Sequence, residues 1–114
     1  MSNFKVAGVD QVTDADFEGE VLKSEVPVLV EFGAEWCGPC RQLGPVLGEI
    51  SREEADRLKV VQLDVDHNPR TAIAYNVLSV PSLLVFRGGE PVKQMVGARP
   101  KRRLLAELAE AEVL

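Results

Sequence analysis

The chain holds two cysteines, Cys37 and Cys40, inside Trp36-Cys37-Gly38-Pro39-Cys40. A disulfide needs Cα atoms about 4.4 to 6.8 Å apart, and positions i and i+3 on the first turn of a helix meet that requirement. Such a pair can close and reopen without moving the fold, which suits exchange chemistry. A strand-like run, Val28-Leu29-Val30-Glu31-Phe32, precedes the motif and a helical pattern follows it, so the pair sits where a helix begins. Unpaired N–H groups and the dipole at that end favour negative charge. Cys37 is therefore the expected thiolate and nucleophile, and Cys40, one turn in, the resolving thiol. Other readings are an inert disulfide, a binding module in which the cysteines are incidental, and half of a metal site. Zinc normally takes four ligands, which these cysteines and the distant His67 do not easily supply from one chain, although two chains together would. His67 lies in Asp64-Val65-Asp66-His67-Asn68-Pro69, which a strand end followed by a helix cap explains without a metal.

The elements that would hold this pair follow from periodicity and punctuation. Residues 6–12 read as a strand ending at Thr13, which caps a helix through Phe17, Val21 and Leu22 while Asp14 and Asp16 favour its dipole. Pro27 opens a second strand with Val28, Val30 and Phe32 on one face and Leu29 and Glu31 on the other. Apolar residues on both faces mark it as central and covered on both sides, which predicts a partly desolvated Glu31 carboxyl with a raised pKa. After the cysteines, Leu43, Val46, Leu47 and Ile50 form an amphipathic stripe that ends near Glu54, with Pro45 kinking the helix. Residues 58–65 read as a third strand, and Asn68-Pro69 as cap and first position of a short helix through Ala74. Residues 81–86 and 91–96 form an antiparallel hairpin around Arg87-Gly88-Gly89-Glu90, and Pro100 starts a final helix with Leu104, Leu105, Leu108 and Ala111 on one side. The order βαβαβαββα predicts an α/β fold: a central mixed β-sheet flanked by helices on both faces. No linker or repeat interrupts it, so residues 1–114 read as a single domain.

The 114 residues, 46% apolar and 27% charged, have the composition of a soluble globular protein, and no apolar run approaches the ~20 residues of a membrane span. Met1-Ser2-Asn3-Phe4-Lys5 lacks the apolar stretch of a secretory leader, so a cytoplasmic protein is expected; there, paired cysteines are catalytic or metal-bound more often than structural. Acidic residues, 18 against 13 basic, argue against a nucleic-acid surface. The charge is uneven, however. Arg87, Lys93, Arg99, Lys101, Arg102 and Arg103 face the single acid Glu90 in that stretch, a local positive patch that reads either as a solvated face or as a surface steering acidic partners.

Ala34-Glu35-Trp36-Cys37-Gly38-Pro39-Cys40 and the element order together resemble the thioredoxin family. The resemblance extends to Pro45, to Asp66-His67-Asn68-Pro69, to Val80-Pro81-Ser82-Leu83-Leu84, and to Gly89 and Gly97, covering nearly the whole chain. It implies the thioredoxin fold and a protein-disulfide reductase acting as an electron carrier. Such a protein has no cofactor of its own and works as a monomer on disulfide-containing targets; a thioredoxin reductase drawing on NADPH restores its dithiol. It implies that Gly38 and Pro39 between the sulfurs set a reducing bias and that Glu31 exchanges a proton with Cys40. It further implies a cis Val80-Pro81 bond beside the cysteines, with Val80 offering backbone hydrogen bonds to an extended substrate and Trp36, Val80, Pro81 and Gly97 forming a shallow apolar docking surface. Three positions depart from the family: Glu31 replaces a buried Asp, Gln62 a common Lys, and Gly33 a common Trp, which is expected to remove an aromatic wall from beneath the motif.

Overall fold

A computed structural model describes residues 4–114; residues 1–3, part of the segment read above for a leader, lie outside the description. The chain runs as β1 (Asp10–Val12), a π-helical turn (Glu18–Leu22), β2 (Val28–Gly33), α1 (Gly38–Glu53), β3 (Lys59–Asp64), α2 (Pro69–Ala74), β4 (Ser82–Arg87), β5 (Glu90–Val96) and α3 (Lys101–Glu110). The sheet order is β1-β3-β2-β4-β5. β2 pairs in parallel with β3 and antiparallel with β4, so the strand leading to the cysteines is central, and all six of its residues are buried.

The alternation along β2 assigns each side chain to a layer. Leu29 packs with Leu43, Leu47 and Ile50 of α1 and Leu104 and Leu108 of α3. Val28, Val30 and Phe32 pack on the other side with Phe17, Val21 and Ala72, from the π-helical turn and α2. On that second side Phe86 makes edge-on contacts with Phe17 and Tyr75, with ring centroids 5.5 and 5.1 Å apart. Helices thus cover both faces, and the odd-numbered residues of β2, Glu31 among them, face the layer of α1.

Several local expectations are corrected. β1 is only three residues long, because Gly8 at φ 84° turns the chain and Val9 N–H donates back to Val6 O. The helix expected after Thr13 is a single π-helical turn closed by Lys23 N–H donating to Glu18 O. Its expected dipole partner, Asp14, serves α2 instead, accepting from Arg70 N, Thr71 N and Thr71 Oγ1. Asn68 does not cap α2 through its side chain; Asn68 Nδ2 donates to Asp64 O, and Asn68 Oδ1 accepts from Asp14 N. Pro100 is the extended N-cap of α3 rather than its first helical residue. The hairpin is tighter than expected, with only Gly88 and Gly89 between the strands, both at positive φ (59° and 82°), as a two-residue loop of the right twist demands.

Candidate active site

β2 delivers the chain to the surface at Gly33, and a short loop folds it back into α1, with Cys37 N–H donating 3.1 Å to Ala34 O. Arg41 Nη1 pins this loop by donating 2.8 Å to Glu35 O. Cys37 is the extended N-cap of α1, and Gly38 and Pro39 open the helix, where a missing N–H removes no helical bond. Cys37 and Cys40 are joined in a disulfide with Cα atoms 5.3 Å apart. Cys37 Sγ accepts the N–H of Cys40 at 3.2 Å, so the helix terminus does bear on the Cys37 sulfur. Cys40 has no exposed surface and Cys37 is 3% exposed, so the N-cap cysteine is the less enclosed of the two.

Glu31 lies on the face of β2 that α1 covers, with no exposed surface. Glu31 Oε1 accepts from Gln62 Nε2 at 2.8 Å, while Oε2 is buried without a hydrogen-bond partner among the described residues. Burial pushes its pKa up to about 7, and the bond from Gln62 pulls the other way without cancelling it. The desolvation expected from the two-faced strand is thus complete. Gln62 is buried too, and uncharged, so no cation holds the carboxylate ionised from β3.

Trp36 is 68% exposed, with its indole fixed by a 2.8 Å bond from Nε1 to Asp66 Oδ2. The Val80-Pro81 bond is cis. Val80 packs on the cysteines and, with Trp36, Val65, Val77, Leu78 and Ser79, lines a groove of about 160 Å³. Pro81 is buried, and its carbonyl accepts from Gly97 N at 2.9 Å. Gly97 is therefore tied to the cis proline but is no wall of the groove, whereas Leu78, 93% exposed, is one that pattern reading did not single out.

The positive patch is largely neutralised within the chain. Arg99 is buried against Glu107, Lys101 bridges to Glu49 and Glu53, Lys93 pairs with Glu110, and Arg87 donates to Ala111 O and Glu112 O. Arg102 alone of the six has no side-chain ion pair or hydrogen bond among the described residues. His67 is exposed, and its bond with Asp64 raises its pKa. Among the described residues no group of three His, Cys, Asp or Glu side chains is placed to hold a metal, and no helix is long and apolar enough to cross a membrane.

The family model described as Thioredoxin matches residues 8–110. A thioredoxin of Streptomyces clavuligerus is 55% identical over 101 residues, covering 88% of this chain and 94% of that protein. A thioredoxin of Mycobacterium tuberculosis is 49% identical over 110 residues, covering 96% and 95%. A bifunctional thioredoxin reductase/thioredoxin of Mycobacterium leprae is 50% identical over 111 residues; these are 96% of this chain but only 24% of that protein's length.

Proposed function

The chain belongs to the thioredoxin family and is a thiol–disulfide oxidoreductase, and from that premise we propose that Cys37 attacks, Cys40 resolves and Glu31 takes the proton of Cys40. In the reduced chain the Cys37 thiolate attacks one sulfur of a target disulfide, forming a mixed disulfide and expelling the other target sulfur as a thiolate. Cys40 then gives its proton to the Glu31 carboxylate and attacks the Cys37 sulfur. The Cys37–Cys40 bond forms, the mixed disulfide breaks, and the second target sulfur leaves. The target gains two electrons and the chain loses two.

The observation that carries this reading is the bare Oε2 of a buried Glu31 whose pKa is about 7, close to the value at which a base both accepts and returns a proton at neutral pH. The target approaches over the groove beside Trp36 and Val80, with Pro81 and Gly97 shaping the backbone there. A thioredoxin reductase using NADPH returns the electrons, a partnership supported by the relative in which both activities share one name. The chain works as a single cytoplasmic domain and monomer with no bound cofactor.

Insulin reduction driven by dithiothreitol tests the assignment of the sulfurs. Cys37→Ser should neither reduce insulin nor trap it, while Cys40→Ser should accumulate a stable mixed disulfide. Trapping by Cys37→Ser instead would reverse the two roles.

A further inference from the structure

Gly33 ends β2 on the same face as Glu31, two residues on and thus about 6.6 Å along the strand. The space above it is occupied: a Cβ placed on Gly33 would overlap Phe4 Cε1 and lie 2.8 Å from its Cζ and 3.0 Å from its Cδ1. The Phe4 side chain is buried in one cluster with Ala34, Cys37 and Cys40. The aromatic wall expected to be missing at Gly33 is therefore present, carried by a residue ahead of β1. Its backbone is held as well, since Gln62 Nε2 donates 3.0 Å to Phe4 O and 2.8 Å to Glu31 Oε1. Gln62 Oε1 accepts from Gln11 Nε2 at 2.7 Å and from Val6 N at 3.4 Å, so a flipped amide would set donors against donors.

We infer that Phe4 is a positioning residue for the exchange reaction, a lid whose ring, docked over Gly33 and latched through Gln62, keeps water from Glu31 and the Cys40 sulfur. The consequence for turnover rests on the proton role proposed for Glu31; the shielding itself does not. Among the described residues, neighbouring charge offers no competing account. Glu31 is flanked across the sheet by Gln62 and Leu83, α1 presents Cys40, Leu43 and Leu47 to this layer, α3 presents Leu104 and Leu108, and Lys5 beside Phe4 is exposed.

The test is the titration of the Glu31 carboxyl in the oxidised protein, followed by NMR of its labelled carboxyl carbon, which needs no catalytic role. Wild type should titrate near 7. Phe4→Ala should lower the midpoint by about 1 unit or more toward the ordinary carboxylate range, because water replaces the ring. Adding Gly33→Trp to Phe4→Ala rebuilds an aromatic cover from the strand and should bring the midpoint back up. Should Phe4→Ala not fold, Phe4→Leu gives the same shift, smaller. A midpoint unmoved in the folded variant, or one that Gly33→Trp fails to restore, would overturn the lid. A lowered midpoint with an unaltered pH profile of turnover would uphold the lid and sink the proton role of Glu31 instead.

Discussion

Arg99 and Glu31 are both buried and both ionisable, yet their surroundings are opposite. The Arg99 guanidinium meets four oxygens: both carboxylate oxygens of Glu107 at 2.7 and 2.8 Å, Val96 O at 2.6 Å and Gly97 O at 3.1 Å. Among the described residues the Glu31 carboxyl has one bond, from an uncharged amide, and one oxygen with none. A satisfied buried charge ties α3 to the end of β5 and has nothing left to offer a reaction. An unsatisfied one destabilises the fold when ionised and is correspondingly ready to take a proton. The two buried groups therefore differ in kind: Arg99 is fully paired at one end of the sheet, and Glu31 is left with an oxygen free to hold a proton, as the role proposed for it requires.

The largest effect that would sharpen this contrast is in the pH dependence of stability. The Glu31 pKa is raised, so the folded state holds its proton to higher pH than the unfolded chain, and the stability this contributes is complete below the ordinary value of 4.5 and lost as pH rises through about 7. The interval corresponds to about 3 kcal/mol. Denaturant unfolding across this range should show that loss in wild type and not in Glu31→Gln, which should be the more stable protein above pH 7. Next, Arg99→Ala should cost about 2 kcal/mol, less than a fully enclosed pair would, since Glu107 retains Arg103 at 3.7 Å and some contact with solvent. Its turnover should keep the wild-type pH profile; a moved inflection would break the division of roles. The smallest effect is expected at Asp14, the satisfied carboxylate. Burial alone would raise its pKa, but the bonds from Thr71 and Arg70 outweigh it and hold it below the ordinary value. Asp14→Ala should cost about 1 kcal/mol through loss of the α2 cap, seen as a lower thermal midpoint with turnover unchanged.

What was legible in the sequence is what short-range periodicity carries. The two-faced alternation of β2 placed Glu31 in a covered layer, and the Cys-Gly-Pro-Cys spacing placed both sulfurs on one helical turn. What was not legible depends on residues far apart in the chain. Asp14 caps a helix that begins 55 residues later, and Phe4 fills a space left by Gly33. No window contains both members of either pair. Gly33 itself was the one available signal, since a glycine where an aromatic is common implies that something else fills the space. The pairing of the basic run is hidden for the same reason: the acids of α1 and α3 that pair with it lie outside residues 87–103.

Proton transfer from Cys40 to Glu31 is tested by the rate at which a preformed Cys37–target mixed disulfide resolves, followed from about pH 5 to about pH 9. The rate in wild type should rise through an inflection near 7. In Glu31→Gln that inflection should be lost and the neutral-pH rate lowered by about 100-fold, with initial attack by Cys37 little changed. The same inflection and rate in Glu31→Gln would contradict it.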